Sequence, residues 1–443
     1  MNPSFAGALT IIRVLRAYGY EALLAGGSVR DRLMGREPKD FDIATSARPD
    51  QVREAFERTE AVGEAFGVIL VILDGAAYEV ATFRQDGEYR DGRHPSSISF
   101  ASPEEDALRR DFTVNAMFFN PDNQEILDFA GGQADLEKKI IRAVGDPNLR
   151  FEEDKLRVLR AVRFAVQLGF EIEPGTWAAA KGYAAQISVV AWERIQVELT
   201  KILTSPNPRR GIELLDEACL IEPLLPELLP MKGCSQPEQF HPEGDVWVHT
   251  LMVMQSLRSP SPRLAWAGLL HDVGKPPTWS QEPGDRIRFN QHESEGAKMA
   301  ETVCRRLKMS GDSLEGVVTL VADHLRLNPV KEMKLATLKR LLRREDFKDL
   351  LELHRADCLA SHGGLDLYDY ASAKLAEFEA AAASESLRPE PLLDGADLIT
   401  LGYQPGPLFK EILGAVEDEQ LEGRLTGKDA ALSFVKSKYP APT

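Results

Sequence analysis

Between residues 20 and 145 the apolar positions fall in short runs of differing period. "FGVILVIL" (66–73), "YEVATFR" (78–84) and "VNAMFFN" (114–120) are short, rich in β-branched and aromatic residues, and predict strands. Residues 49–58, opened by Pro49, predict a short helix, because proline is preorganised for the first helical position. At the N-terminus, "FAGALTIIRVLRAYGY" places Arg13 and Arg16 inside an apolar stretch, which predicts an amphipathic helix and no secretion signal. Beyond Asp146 the pattern changes. Apolar residues recur at spacings of three and four through 151–228, and the chain reads as almost wholly helical. These periods imply an α/β head followed by an all-α body.

At 443 residues the chain is too long for one core. Proline and glycine cluster at 204–211, 225–245 and 386–397, which are the candidate boundaries. No run of about 18 apolar residues free of charge occurs, so no membrane span is expected. Cys219, Cys234, Cys304 and Cys358 are scattered without CxxC spacing, which argues against a zinc ribbon or disulfide framework and fits a reducing cytoplasm. The net charge of −16 weighs against nucleic-acid binding, because a polyanion is repelled by an acidic surface. Two local basic runs, 209–215 and 331–346, read either as solvated helix faces or as contacts for a polyanion.

The chemistry concentrates first in "LAGGSVRDRLMGREPKDFDIAT" (24–45). Gly26 and Gly27 lack Cβ atoms, so a phosphate chain is able to approach their backbone. Ser28–Met34 predicts a helix, whose N-terminal amides attract anions, with Arg30 in its first turn. Asp40 and Asp42 are separated by one residue, and in a strand both project to one face while Phe41 and Ile43 anchor the other. Like charges held so close persist where divalent cations neutralise them. Glycine turn, arginine and paired aspartates together describe a triphosphate and metal site.

"GGSVRDRLMG" followed by "DFDIAT" resembles the class II nucleotidyltransferases, the bacterial tRNA CCA-adding enzymes and poly(A) polymerases. "RRDFTVNAM" (109–117), "EDKLRVLRAVRFAVQLGF" (153–170) and "ERIQVEL" (193–199) match further motifs of that family in order. The resemblance covers about 1–225. It implies that Gly27 and Arg30 bind nucleotide, that Asp40 and Asp42 hold Mg2+, and that Arg110 and Asp111 contact triphosphate and ribose. Glu79 reads equally as a third carboxylate or as a solvated strand residue.

In "FEEDKLRVLRAVRF" the spacing places Asp154 and Arg157 on nearly one helical face. Aspartate only accepts hydrogen bonds and arginine only donates them. Cytosine and adenine each offer an amino donor beside a ring-nitrogen acceptor, whereas uracil and guanine present the opposite polarity. The pair reads either as an ordinary ion pair or, with the resemblance, as a protein template for C and A. Arg160 and Arg163 continue the spacing of three, but an ideal helix has turned half way round by Arg163, which speaks against a shared base-reading role. The resemblance implies nucleotide contact at both. The polar connection "FRQDGEYRDGRHPSSISFASPEEDALRRDF" resembles the family's flexible loop, which helps switch the site from C to A.

A second constellation comprises His249, His271 with Asp272, His292, His324 and Asp357. "LLHDVGK" reads as an apolar helix ending in nitrogen and oxygen ligands, with Gly274 stopping it. Imidazole and carboxylate suit first-row divalent metals. The pattern looks like an HD phosphohydrolase domain over about 245–365. By that resemblance His249, His271, Asp272 and Asp357 are the core ligands of a divalent transition metal. His292 and His324 are ligands of a second ion or phosphate contacts, and Lys275 touches substrate phosphate. Residues 401–435 predict a Pro/Gly turn and two amphipathic helices, a tail placed to reach RNA.

The expected fold class is α+β: a nucleotidyltransferase (polymerase β-like) mixed-sheet head, then an all-α neck, body, HD domain and tail. The expected domains are 1–145 (head), 146–225 (neck and RNA/nucleotide-binding region), 226–365 (HD) and 366–443 (tail). The expected activity is template-independent addition of C, C and A to the tRNA 3′ end from CTP and ATP, with HD phosphohydrolase activity beside it. An A-adding enzyme or poly(A) polymerase is the nearest alternative, and an HD phosphohydrolase with an RNA-binding head is the alternative from another class. No obligate protein partner is expected.

Overall fold

The computed structural model describes residues 3–61, 67–86, 98–239, 241–381 and 387–440. The chain divides into two compact units, Met1–Leu229 with Arg306–Lys308, and Pro230–Arg305 with Met309–Thr443.

The first unit is built on a seven-stranded mixed sheet. Its strands are β1 (Ala22–Ala25), β2 (Asp42–Thr45), β3 (Thr59–Glu60), β4 (Val68–Leu73), β5 (Ala76–Thr82), β6 (Met117–Asn120) and β7 (Glu125–Asp128). The spatial order is β3-β4-β5-β2-β1-β6-β7. All neighbours are antiparallel except β2 and β5, which run parallel in the register Ile43↔Val80. Asp74 and Gly75, both at positive φ, form the tight turn between β4 and β5. The predicted 114–120 strand begins only at Met117, because Thr113–Asn115 closes a 3₁₀ turn. At the base of the long polar connection, Arg84–Asp86 pairs antiparallel with Ile98–Phe100. Its middle, 87–97, lies outside the described residues.

Both faces of the sheet are covered. On one, Ile11, Ile12 and Leu15 of α1 (Phe5–Ala17) pack on Ile43, Ile69, Val71 and Val80. Phe83, Phe118, Leu23 and Ala44 fill the other. α2 (Gly27–Leu33) follows β1 directly, and α3 (Pro49–Ala55) is the helix that Pro49 opens. α4 (Pro103–Leu108) and α5 (Gly132–Lys138) precede the helical part. This comprises α6 (Pro147–Glu153), α7 (Leu156–Leu168), α8 (Pro174–Tyr183), α9 (Trp192–Leu203), α10 (Pro208–Glu217) and α11 (Ile221–Leu224). α6 and α7 are two helices where the spacing predicted one. Asp154 between them is extended at φ −145°, ψ 104°, and Gly169 in the left-handed region ends α7.

The second unit comprises α12 (Val246–Ser256), α13 (Pro262–Leu270), α14 (Lys275–Thr278), α15 (His292–Arg306), α16 (Gly311–Asp323), α17 (Leu335–Leu342), α18 (Phe347–Ala360), α19 (Asp366–Ala380), α20 (Gly395–Thr400), α21 (Pro407–Leu421) and α22 (Lys428–Lys438). The expectation of an almost wholly helical chain needs small corrections. Ile140–Ile141 pairs with Glu171–Ile172, and Trp279–Ser280 with Arg288–Phe289.

The basic run 331–346 is neither a free polyanion surface nor a simply solvated face. Arg340 pairs with Glu417 at 2.5 Å and with Asp418, Arg343 pairs with Glu417 at 2.7 Å, and Lys339 donates to the Leu421 carbonyl at 3.0 Å, so α17 clamps α21. Arg209 and Arg210 likewise pair along their own helix with Glu213 and Glu217.

Gly274 does not stop the helix before it. α13 ends at Leu270 with His271 as its C-cap, and Gly274 sits at φ −81°. Its role is close approach, since a Cβ there would lie 2.1 Å from the His292 carbonyl oxygen and 2.5 Å from the Gly296 nitrogen. Gly274→Ala is therefore expected to destabilise the protein by about 1–3 kcal/mol through overpacking against α15. A denaturation midpoint equal to that of the unchanged protein would refute this.

Candidate functional site

β1 and β2 pair with Ala25 opposite Asp42, which sets the glycine turn beside that carboxylate. β2 and β5 pair in parallel one residue further on, so Asp42 and Glu79 are neighbours on one side of the sheet. Asp40 precedes the strand, which begins only at Asp42, yet both line one cavity with Glu79. Burial, then Glu79, with Asp40 adding less, pushes the Asp42 carboxyl up to about 6, against the pull of Arg110 and Arg30. Three carboxylates lining one cavity form an all-oxygen donor set suited to a hard divalent cation such as Mg2+.

Beside them opens a cavity of about 510 Å³, lined by Gly26, Gly27, Arg30, Asp42, Arg109, Arg110, Asp111, Asn115, Asp154, Arg157, Arg160, Phe164 and Arg194. Gly26 lies at φ +64°, and a Cβ there would meet Arg110 Nη1 at 3.0 Å and Asp42 Oδ2 at 3.7 Å. No side chain caps the first turn of α2. Each arginine is held by a neighbour. Arg30 donates to Asn115 Oδ1 at 2.6 Å and to Asp31, while Arg110 donates to the buried Asp106 and to the Asn115 carbonyl. Asp111 receives Arg160 at 2.5 Å, the Asn115 amide and the Phe112 N–H. Burial works against its charge, but Arg160 outweighs that and holds Asp111 down at about 2.

Asp154 and Arg157 reach this cavity from either side of the helix break, so they do not share a helix. Asp154 is fixed by Arg194 at 2.7 Å and by the Leu156 N–H, and Arg157 by Glu153 at 2.6 Å and the Arg150 carbonyl. Arg163 is not brought into the cavity. It pairs with the buried Glu198 at 2.5 Å and stacks over Phe164 at 3.9 Å. Asn115, Phe164 and Arg194 escaped the sequence reading. Asn115 and Arg194 stand inside quoted motifs, but their partners Arg30 and Asp154 are 85 and 40 residues away.

A second cavity of about 850 Å³ opens on the same carboxylates. Arg36, Lys39, Arg163, Lys201 and Ser205 line it together with Gly27, Arg30, Asp40, Asp42 and Glu79. Ser205 Oγ is buried without a hydrogen-bond partner among the described residues.

In the second unit, His249 (α12), His271 and Asp272 (after α13), His292 (α15), His324 (after α16) and Asp357 (α18) converge. Nε2 of His249 lies 3.0 Å from Asp357, 3.4 Å from His271 Nε2 and 3.6 Å from Asp272 Oδ2. The other Asp272 oxygen, Oδ1, faces His292 at 3.4 Å and His324 at 3.8 Å, whose Nε2 atoms are 3.2 Å apart. Asp272 thus bridges two ligand groups. Its buried Oδ2 lies 2.7 Å from Lys275 Nζ, which donates to Gln236, yet Oδ2 makes no well-directed hydrogen bond.

Such a carboxylate, facing two groups of converging imidazole nitrogens, fits divalent transition metals. Burial disfavours charge on both His249 and His324. Asp357 and Glu243 overcome it at His249, pushing that imidazole up to about 9, whereas His324 falls to about 4. Glu243, bonded to His249 Nδ1 at 2.6 Å, was absent from the sequence reading.

Residues 22–142 match the model of the poly A polymerase head domain, 169–232 that of the probable RNA and SrmB-binding site of polymerase A, and 246–361 that of the HD domain. A CCA-adding enzyme of Streptococcus thermophilus is 32% identical over 441 residues, 98% of this chain and 97% of the relative. Another, from Bacillus pumilus, is 45% identical over 225 residues, 51% of this chain. In that alignment the chain spans 56% of the relative's length. The structure of the Bacillus stearothermophilus CCA-adding enzyme in complex with CTP is similar with a TM-score of 0.76 at 28% identity, covering 99% of this chain and 98% of that one. Head, helical part and His/Asp cluster all lie within the near-full-length alignment, and the chain belongs to the bacterial class II CCA-adding enzyme family of nucleotidyltransferases.

Proposed function

We propose that the protein completes the 3′-terminal CCA of tRNA, adding C, C and then A from CTP and ATP without a nucleic-acid template. The observation that carries this reading is that Asp40, Asp42 and Glu79 line one cavity and Asp42 also lines the arginine-rich one beside it. The triphosphate lies against Gly26, Gly27, Arg30 and Arg110, with Asp111 and Arg160 at the sugar. The RNA end enters by the second cavity past Arg36, Lys39 and Lys201, which make no ion pair among the described residues. In that arrangement its 3′-hydroxyl is in line with the α-phosphate, and pyrophosphate leaves toward the arginines. Mg2+ held by Asp40 and Asp42, with Glu79 as a third carboxylate, would activate the hydroxyl and neutralise the leaving group.

Asp154 accepts from the amino group of C or A, and Arg157 donates to the neighbouring ring nitrogen. Arg194 and Glu153 fix the two side chains. A base of opposite polarity would leave both unpaired at an estimated cost of about 1–3 kcal/mol. Arg163 has no place in this scheme as a base reader. Its pairing with Glu198 makes it a brace between α7 and α9.

In the second unit, the bridging Asp272 favours a second reaction, phosphohydrolysis of a phosphomonoester or 2′,3′-cyclic phosphate at a divalent transition-metal centre. Lys275 is placed to meet the phosphate. No helix among the described residues is long and apolar enough to cross a membrane, and action in the cytoplasm fits a tRNA substrate.

Asp42→Asn is expected to lower nucleotide incorporation by about 10³-fold, since metal charge stabilisation is worth several kcal/mol; steady-state incorporation into tRNA lacking CCA measures it. Given CTP alone and a tRNA ending at the discriminator base, the unchanged protein is expected to add C, read by sequencing the RNA end. Failure with CTP but success with ATP would assign an A-adding enzyme or poly(A) polymerase instead. The Asp154→Ala/Arg157→Ala protein is expected to lose discrimination against UTP and GTP by about 5- to 150-fold. Competition between labelled nucleotides checks this, and retained selectivity would remove the template role.

A further inference from the structure

This inference rests on reading the His/Asp cluster as a metal centre. Among its four histidines, three tie Nδ1 to backbone: His271 to the Gly268 carbonyl at 2.9 Å, His292 to that of Phe289 at 2.9 Å, and His324 to that of Val321 at 2.7 Å. His249 differs, because its Nδ1 meets a side chain, Oε1 of Glu243, at 2.6 Å. Three orientations are therefore written into helix ends, and one depends on a replaceable carboxylate.

We propose that Glu243 is the positioning carboxylate of the metal centre, holding the His249 imidazole so that Nε2 faces Asp272, Asp357 and a divalent metal ion. A donated Nδ1–H fixes the tautomer and leaves the lone pair on Nε2, where the neighbouring ligand atoms converge. The 2.6 Å separation is a direct hydrogen bond and leaves no room for an ion between Nδ1 and Oε1, so the pair orients a ligand rather than forming another metal site.

The surrounding chain is built to hold Glu243 there. Asp245 caps α12 by accepting the Val248 N–H at 2.8 Å and takes the Gly233 N–H at 2.6 Å. The Val246 N–H donates to the Cys234 carbonyl at 3.0 Å. His249 lies in the first turn of the capped helix, so the segment before the cap and the ligand after it are fixed together. The same Oε1 also holds His241 Nδ1 at 2.9 Å, and the His241 and His249 rings stand nearly perpendicular at 5.0 Å. The second oxygen, Oε2, is buried without a hydrogen-bond partner among the described residues. Burying an acceptor unpaired is costly, and such a cost persists where another demand dictates the side chain's place.

The test is a Co2+ titration of the metal-stripped full chain, followed by the visible absorption of the bound ion, for the unchanged protein, Glu243→Ala and Glu243→Gln, with a thermal melt of each. Glu243→Ala is expected to weaken Co2+ binding by about 10- to 100-fold. Glu243→Gln, whose amide oxygen still accepts the Nδ1–H, is expected to weaken it by less. Equal affinity and spectrum in all three proteins overturns the role of Glu243 while leaving the metal centre standing. Absence of Co2+ binding by the unchanged protein overturns the metal centre and this inference with it. Should Glu243→Ala melt at a markedly lower temperature, Glu243→Gln decides alone: a weaker affinity supports the role, and an unchanged one overturns it.

Discussion

The repulsion among Asp40, Asp42 and Glu79 is the constraint around which the first unit is arranged. Two strands in parallel register and the residue just before one of them bring three carboxylates to one cavity. The half-buried member pays for this with a carboxyl driven up to about 6. A sheet core of Ile43, Ile69, Val71 and Val80 keeps the three from moving apart. What the arrangement lacks is positive charge of high density, and the arginines alongside are already engaged with other partners. A divalent cation bound by the three carboxylates would supply that charge, and a triphosphate would compete for the same arginines.

The second unit meets a related problem with softer ligands. Asp272 is buried between two histidine groups, and its carboxylate is tolerated there beside Lys275, 2.7 Å from Oδ2. Imidazoles converging by Nε2 leave a pocket of nitrogen lone pairs, a donor set for transition metals rather than magnesium. The two centres differ in which atoms face inward, and that difference follows from the residue types the two units bring together: carboxylates on or beside strands in one, imidazoles with two aspartates on or just after helices in the other.

Net charge misleads about this protein because it averages over the whole surface. A chain of −16 still lines one cavity with six arginines, each oriented by hydrogen bonds or ion pairs before any ligand arrives. Preorganised donors are worth more to a developing negative charge than mobile ones, since they need not be reordered during reaction. The basic run that looked most like a polyanion contact is consumed by Glu417 and Asp418 of α21, so it joins helices within the second unit.

Much of this was legible from local pattern. The short β-rich runs 66–73 and 78–84, Pro49 opening a helix, and the glycine pair between a strand and a helix follow from steric and solvation rules acting over a few residues. The motif order likewise announced the family, and the Asp-x-Asp and His-Asp pairs marked the two clusters of candidate metal ligands that the fold assembles. Other features depended on contacts distant in sequence. Asp154 leaves the helix and is held by Arg194, 40 residues further on. Gly274 is required by the carbonyl of His292 rather than by its own φ. Arg163 turns to Glu198, Glu79 gains its meaning from a parallel neighbour, and Glu243 from a histidine beyond a helix cap. The sequence by itself determined which chemical groups are available and the local elements that carry them. Tertiary packing decided which groups meet, because a charge or hydrogen-bonding group taken out of water must be matched by whichever partner the folded chain brings within about 3 Å.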